Sequence, residues 1–276
     1  MTIETSQEPR AFSDFEHRGW ETNSAGYDRH WTMLTGHCAD AMLDAMDISS
    51  GTRLLDVCTG PGVFARGARK RGATAIGLDF SDKLLAIARR NVPDAEFRQG
   101  DAHDLPFDDD SFDAVVCGFG LMHLPQPDVA LREMHRVLQP GGRLGIAVWD
   151  APTPGNGLGV LYGAIRAHGD VNTPLPHGPD FFQFAGPGDM TEALESTGLR
   201  DVAVHTVTPC WEFAHPSDLI KAIEEGAVRA RALLLAQTDE ARKSIESAVE
   251  DAISQFRSDD GTLEVPMPAV LGIAGK

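Results

Sequence analysis

Short apolar runs alternate with helical patterns from residue 53 onward, and this alternation restricts the fold more than any other feature of the chain. The runs are RLLDV at 53–57, TAIGLD at 74–79, AEFRQ at 95–99, FDAVVCGFG at 112–120 and RLGIAVW at 143–149. The intervening segments have helical spacing, as in SDKLLAIARRN, where Ser81 is suited to cap the helix. Strands that alternate with helices form parallel sheets. The sequence therefore predicts a doubly wound α/β fold.

The segments on either side of this alternation suggest four regions. Residues 1–48 are predicted to form an N-terminal helical cap and residues 49–150 the ligand-binding core. Residues 151–190 are rich in proline and glycine, which indicates a lid insertion. Residues 191–276 are expected to complete the sheet and to add two helices, at 217–237 and 239–256, before a last strand AVLGIAG.

Composition excludes several classes of partner. The chain has 41 acidic and 24 basic residues, a net charge of −17, so nucleic acid and anionic membrane surfaces are disfavoured. Its four cysteines are widely spaced, which argues against a disulfide framework or a zinc site, and no metal site is predicted. The acidic, polar N-terminus and the absence of a long apolar run predict a cytoplasmic protein without stable membrane association. The sequence indicates no oligomeric state.

The turn after the first strand, in LLDVCTGPGVFA, is built to admit a ligand. In an open parallel sheet, ligands bind where the carboxyl ends of the strands meet the loops. Gly60 and Gly62 would let the backbone approach a ligand, and the next helix would present free N–H groups at its start. Asp79, at the end of the second strand, can accept both hydrogen bonds of a ribose diol. These features alone also satisfy the dinucleotide pattern G-x-G-x-x-G/A.

Asp101, which follows the third strand, separates the candidate cofactors. A dinucleotide site has no obvious need for this carboxylate. The adenine of S-adenosylmethionine offers an exocyclic amine to such an acceptor, and this cofactor has no pyrophosphate to neutralise. The sequence also contains no G-x-x-x-x-G-K-[ST] loop. S-adenosylmethionine is therefore the predicted cofactor.

Four segments in order, LLDVCTGPG, GLDFSDKLLAIAR, GDAHDLPFDDDSFDAVVCGFGLMHLPQP and ALREMHRVLQPGGRLGIAVW, cover about 53–149. In these segments the chain resembles the class I S-adenosylmethionine-dependent methyltransferases, in particular the group that includes the quinone-biosynthesis C-methyltransferases. The resemblance implies a Rossmann-like, doubly wound, seven-stranded and mostly parallel sheet. The chain departs from the family pattern at Cys58, where the first loop glycine is usual.

The resemblance also implies the residues that hold the cofactor. Those for its methionine end are Asp56, Thr59, Gly60, Gly62, Gly118 and Phe119. Those for its ribose and adenine are Asp79, Phe80, Asp101 and Ala102. In this scheme Asp79 binds the ribose hydroxyls and Asp101 accepts from the adenine amino group. Asp56 could instead only order the loop, and Phe80 could belong to the core.

The acceptor is predicted to lie between the fourth strand's end, the N-terminal segment and the lid. His123 is the candidate general base, because it follows the carboxyl end of the fourth strand; the alternative is a histidine that packs beneath the lid. Tyr27 is the second catalytic candidate. Trp20, Trp31, Phe181 and Phe182 are the candidate acceptor-binding residues. Such an aromatic pocket suits a small, largely apolar metabolite, methylated on oxygen or carbon.

Three other functions remain open at this stage. A bound S-adenosylmethionine can serve an enzyme that catalyses a reaction other than methylation. An NAD-dependent oxidoreductase would use the same glycine turn. A non-catalytic binding subunit is the third alternative, although the loop glycines and the three aspartates are all present.

Overall fold

The computed structural model describes residues 7–276, with side chains described from residue 9 onward. One sheet contains the strands β1 Arg53–Val57, β2 Thr74–Asp79, β3 Glu96–Gln99, β4 Phe112–Gly118, β5 Leu138–Trp149, β6 Arg200–Val207 and β9 Ala269–Gly275. Their order across the sheet is β3-β2-β1-β4-β5-β9-β6. The first five strands are parallel, whereas β9 is antiparallel to β5 and β6. The prediction of a seven-stranded, mostly parallel sheet is confirmed.

Helices cover both faces of this sheet and extend beyond it. They are α1 Gln7–His30, α2 Thr32–Ala45, α3 Val63–Lys70, α4 Asp82–Asn91, α5 Pro127–Val137, α6 Gly157–His168, α7 Pro187–Glu195, α8 Asp218–Gly226, α9 Arg229–Leu235 and α10 Asp239–Ile253. Single 3-10 turns occur at Leu121–His123 and Ser254–Phe256. As predicted, Ser81 caps α4, and its hydroxyl accepts a hydrogen bond from Leu84 N at 3.2 Å.

The C-terminal region differs from its prediction in two ways. The segment expected to form one helix at 217–237 is divided into α8 and α9, because Ala227 is extended and Gly226 lies against the Trp31 indole. A β-carbon at Gly226 would come within 2.5 Å of Trp31 Nε1. Two unpredicted strands, β7 Cys210–Phe213 and β8 Leu263–Pro266, form a separate antiparallel pair.

The strand order places the ligand crevice at the carboxyl ends of β1 and β4. The chain runs from β1 outward to β2 and β3, and then returns to β4 on the other side of β1. The order of strands reverses at this point, and a crevice opens there in doubly wound sheets. Both strands are buried over most of their length, so the loops that follow them stand on a rigid base.

Helix α1 crosses this end of the sheet and packs on α4 and α8. Two glycines on α1 allow this helix to pack closely against residues 225–228, at the end of α8 and just beyond it. A β-carbon at Gly19 would lie 2.3 Å from Val228, and one at Gly26 would lie 2.0 Å from the Glu225 carbonyl oxygen. The first helix is thereby fixed over the crevice. Among the helices of residues 7–276, none has the length and the apolar character needed to span a bilayer.

Candidate active site

A cavity of about 470 Å³ lies at the carboxyl ends of β1 to β4, beneath α1. Ten of the predicted site residues line it: Trp20, Tyr27, Gly60, Asp79, Phe80, Asp101, Ala102, Gly118, Phe119 and His123. Several residues without a predicted role also line the cavity, among them Ser13, Glu16, His17, Cys58 and His103. The structure thus brings the predicted cofactor and acceptor regions to one cavity.

The loop after β1 needs left-handed backbone at three positions. The φ angle is 57° at Cys58, 53° at Gly60 and 84° at Gly62. Cys58 therefore occupies a conformation that glycine adopts without steric cost, which explains why glycine is usual there. Of the two glycines expected to let the backbone approach a ligand, only Gly60 lines the cavity, and Cys58 lines it as well. Gly62 instead faces Val92 and Phe97, 3.2 and 3.3 Å from where its β-carbon would lie.

Asp56 orders this loop from below. One of its carboxylate oxygens accepts hydrogen bonds from Thr59 Oγ1 at 2.6 Å and Ala65 N at 3.0 Å. The other oxygen, Oδ1, is buried and has no hydrogen-bond partner among the described residues. Burial raises the pKa of Asp56 to about 7. Neither Asp56 nor Thr59 lines the cavity, so their geometry favours the loop-ordering role over the direct contact that the resemblance implies.

Asp79 ties the end of β2 to the glycine turn and also lines the cavity. Its carboxylate accepts hydrogen bonds from Gly60 N at 2.8 Å and from Ser81 N at 3.0 Å. The residue is 4% exposed, and burial raises its pKa to about 6. The carboxylate predicted for a ribose diol thus lies at the cavity wall, held by backbone donors.

Asp101 and Phe80 also line the cavity. Asp101 Oδ1 accepts from His103 N at 2.9 Å and contacts His103 Nδ1 at 2.6 Å. The hydrogen bond from His103 lowers the pKa of Asp101, which keeps an ionised acceptor in this position. Phe80 packs edge-on against His17 with ring centroids 5.1 Å apart. Phe80 therefore lies at the cavity wall and not in the buried core.

The end of β4 contributes backbone close to the centre of the cavity. Gly118 is required by packing, because a β-carbon there would lie 1.9 Å from the Phe64 ring. Phe119 has a φ of 61°, and its ring stacks on Trp149 at 4.2 Å. The Phe119 side chain therefore packs against Trp149, and the residue also lines the cavity.

His123 lies at the boundary between this cavity and a smaller aromatic chamber. Its Nδ1 is 3.0 Å from Oε2 of Glu16, a residue that is 1% exposed. Its ring meets Trp20 edge-on at 4.9 Å and Phe181 edge-on at 5.4 Å. The ring thus packs against Phe181, in the region 151–190 that the sequence predicts as a lid, and it also lines the cavity.

Glu16 is the main site residue that the sequence analysis missed. Phe12, Glu16, Trp20, Asn23 and Tyr27 recur at helical spacing on α1, so they share one face of the helix. The only local indication of its role was that a charged residue lies on a largely aromatic face of α1. Its partner lies 107 positions away in the sequence, which no local pattern reveals.

The aromatic chamber has a volume of about 40 Å³ and shares Trp20, Tyr27, Phe119 and His123 with the main cavity. Trp31 and Phe181, two of the candidate acceptor-binding residues, line it. Phe182 lines neither space and packs against Phe181 and Tyr162. Tyr27 covers the glycine turn, with one ring carbon 3.9 Å from where a β-carbon of Gly60 would lie. Burial raises the pKa of Tyr27, so its phenol stays protonated.

The cavity's chemistry suits S-adenosylmethionine better than a dinucleotide. Three carboxylates line it, those of Glu16, Asp79 and Asp101, and its lining among the described residues includes no lysine or arginine. An anionic pyrophosphate would meet like charge there, whereas a sulfonium and an ammonium group would meet opposite charge. The unpaired Oδ1 of Asp56 adds a buried acceptor just below the loop. The residues present therefore fit the predicted cofactor.

Comparison with known proteins decides the family. A family profile described as "Methyltransferase domain" matches residues 55–146. The demethylmenaquinone methyltransferase of Streptomyces avermitilis is 35% identical over 210 residues, which cover 71% of this chain and 87% of that protein. The chain belongs to the class I S-adenosylmethionine-dependent methyltransferases. The family resemblance predicted from the sequence is confirmed, and so is S-adenosylmethionine as the cofactor of the family.

Other matches of the chain are shorter. The demethylmenaquinone methyltransferase of Renibacterium salmoninarum is 41% identical over 132 residues, 48% of this chain and 53% of that protein. The chain thus spans about half the length of several curated relatives that it matches. The crystal structure of the YcgJ protein from Bacillus subtilis superposes with a TM-score of 0.56 at 21% identity, covering 87% of this chain and 98% of that one. This likeness supports the fold.

Proposed function

We propose that this methyltransferase transfers a methyl group from S-adenosylmethionine to an oxygen or carbon atom of a small, largely apolar metabolite. The observation that carries the proposal is the position of His123, between a carboxylate-lined cavity at the strand ends and an aromatic chamber. Relatives named demethylmenaquinone methyltransferases support an apolar acceptor. The bound cofactor supplies an electrophilic methyl sulfonium, and the chain aligns the acceptor with it.

In this proposal the residues that would hold the cofactor extend from the glycine turn to Asp101. Asp79 receives the ribose hydroxyls, and Asp101 with the backbone of Ala102 receives the adenine, flanked by Phe80. Gly60 and the backbone at Gly118 and Phe119 receive the methionine end. Asp56, Thr59 and Gly62 act one layer below, by holding the loop in the conformation that exposes Gly60.

The proposed acceptor site combines a proton acceptor with aromatic walls. His123 removes a proton from the acceptor as its new bond to the methyl group forms. Tyr27 remains protonated, covers the turn and orients the reacting groups without serving as a base. Trp20, Trp31 and Phe181 exclude water and hold the acceptor, and Phe182 supports Phe181 from behind. Alignment of this kind can supply about 7–11 kcal/mol of the barrier.

The four regions inferred from the sequence form part of the same proposal. Residues 1–48 act as a cap that supplies Glu16, Trp20 and Tyr27, although residues 1–6 lie outside the described part of the chain. Residues 49–150 hold the cofactor. Residues 151–190 act as the lid that supplies Phe181, and residues 191–276 complete the sheet and the chamber wall.

Mass spectrometry of cell extract incubated with the protein and methyl-labelled S-adenosylmethionine tests this function. We expect one extract component of low polarity to gain a single labelled methyl group. The same extract incubated with the Gly60→Val variant is the control for other methyltransferases. A product of unchanged mass with retained cofactor would indicate a reaction other than methylation, and binding of NAD in place of S-adenosylmethionine would indicate an oxidoreductase.

A further inference from the structure

Glu16 is a buried carboxylate whose hydrogen-bond partner among the described residues is the His123 ring. It is 1% exposed, and its Oε2 lies 3.0 Å from His123 Nδ1. Its other oxygen, Oε1, is buried with no hydrogen-bond partner among the described residues. The nearest cation is Arg229, whose Nε lies 4.0 Å from Oε1. A buried, ionisable group with so few partners is costly to keep in a fold, which points to a role beyond stability.

We propose that Glu16 is the positioning residue for His123: it holds the proton of the neutral imidazole on Nδ1 and thereby leaves the Nε2 lone pair free at the cavity. A carboxylate can only accept a hydrogen bond, so the neutral ring must donate from Nδ1. No described residue makes a hydrogen bond with Nε2. This assignment deepens the proposed function and rests on it for its catalytic meaning, since the free Nε2 is the atom that would take the acceptor's proton.

The proton balance of the step follows from this arrangement. The bond between sulfur and methyl breaks as the bond between methyl and the acceptor atom forms. The acceptor's proton passes to His123 Nε2 and later to solvent. The ring is then doubly protonated, and the carboxylate of Glu16 stabilises its charge through Nδ1–H. The substrate is therefore one whose reacting group carries a removable proton.

Arg229 connects this pair to the lid. Its guanidinium lies over the rings of Phe12 and Phe181, at 5.2 and 5.4 Å, and donates to the Pro179 carbonyl at 3.0 Å. Arg229 thus contacts the lid and Glu16 together. Helix α1, the turn after β4 and the start of α9 supply Glu16, His123 and Arg229, so the geometry of the pair depends on how these three elements pack together.

A second glutamate–histidine pair provides a matched control. Glu225 lies 2.7 Å from His30 Nε2 and also pairs with Arg29 at 2.8 Å. Its side chain is 33% exposed, and the pair lies outside the main cavity and the aromatic chamber. The Glu225→Gln change therefore alters a glutamate–histidine pair between α8 and α1 without touching the proposed base.

Nitrogen NMR of the histidine rings in the full chain tests the proposal without any acceptor. At a pH where the ring is neutral, we expect His123, assigned with His123→Gln, to carry its proton on Nδ1. In Glu16→Gln the amide can donate to Nδ1, and we expect the proton to move to Nε2 in a large fraction of molecules. In Glu225→Gln the His123 signals should stay as in the wild type. An Nε2-protonated His123 in the wild type, or an unchanged tautomer in a folded Glu16→Gln, would overturn the assignment.

The rate of labelled product formation supplies the second readout. Glu16→Gln should lower turnover by at least about tenfold, within the ~10²–10⁴-fold contribution of a positioned base, and leave the Kd for S-adenosylhomocysteine unchanged. Equal turnover in wild type and Glu16→Gln contradicts the positioning role. Failure of the proposed function gives a different result, because the wild type then yields no labelled product while the tautomer result stands.

Discussion

The two halves of the cavity are built in different ways. The half that we propose holds the cofactor, called the cofactor half below, uses the ends of four neighbouring strands. Its groups are backbone donors and carboxylates held by short hydrogen bonds within 56–119. The half that we propose holds the acceptor, called the acceptor half below, uses side chains from α1, the turn at Leu121–His123, the segment 151–190 and the start of α9. The first half depends on backbone conformation, whereas the second depends on the packing of distant elements. A substitution in the cofactor half should therefore weaken cofactor binding, whereas one in the acceptor half should lower turnover.

The largest effect is expected from Gly60→Val, which should abolish cofactor binding. A β-branched residue is strained at a φ of 53°, and its methyl groups would enter the cavity beneath Tyr27. Isothermal titration with S-adenosylhomocysteine measures the loss. Gly51→Val is the matched control, because Gly51 has a φ of 92° and open space around it, far from the cavity.

Both variants should lose similar stability, about 1–2 kcal/mol for the left-handed backbone, so a difference in binding isolates the cavity. Retained binding in a folded Gly60→Val would show that the turn does not contact the cofactor. If Gly51→Val also lost binding, the loss of binding in both variants would be due to misfolding.

His123→Ala is the corresponding test of the acceptor half. Turnover should fall by about 10²–10⁴-fold while the Kd for S-adenosylhomocysteine changes little, because the ring touches the acceptor side of the cavity. Labelled product formation and titration together measure the two effects. Wild-type turnover in this variant would remove His123 from the mechanism.

The difference between the halves also explains what the sequence could predict. The turn residues, Asp79 and Asp101 follow strands that periodicity identifies, and the strand order then brings them together. Glu16 could not be found in this way, because its contact with His123 joins residues 107 positions apart through the packing of α1 on α8. Gly62 was assigned to the cofactor because a repeated glycine pattern does not reveal which glycine faces inward.

The fold shows the same limit. Periodicity predicted the strands and the two main C-terminal helical stretches. It could not predict the break between α8 and α9, since that break is set by the contact of Gly226 with Trp31. Nor did it reveal the pair β7–β8, whose strands are only four residues each and separated by 49 residues of helix and loop.

A pH titration sharpens the comparison within the cofactor half. The pKa of Asp79 is raised to about 6 by burial, so the folded state holds this proton at a pH where the unfolded chain, with a pKa near 3.8, has lost it. Asp79 therefore lowers the free energy of unfolding as pH rises from about 4 to about 6. Ionised Asp79 is also the better acceptor for ribose hydroxyls. Affinity for S-adenosylhomocysteine should be about tenfold weaker at pH 5 than at pH 7.5.

Asp79→Asn is the control for this titration. It should bind more weakly at pH 7.5 and show a smaller change between pH 5 and pH 6, while Asp56, with a pKa of about 7, still titrates above that range. A wild-type affinity that is constant across the whole interval would contradict the ribose role of Asp79.

The smallest effect is expected from Cys58→Gly, which should keep or improve cofactor binding. Glycine relieves the left-handed strain at a φ of 57°, but it also gives the unfolded chain more freedom, and the two changes, each about 1 kcal/mol, nearly cancel. The sulfur lies beside Gly120 and Cys117, at the edge of the acceptor half, so its removal leaves the hydrogen bonds of the turn intact. Titration with S-adenosylhomocysteine should give a Kd within a few-fold of the wild type. A clear loss of affinity would mean that the thiol itself contributes to the site, and that the cofactor half also depends on a side chain at the one loop position where the family usually has none.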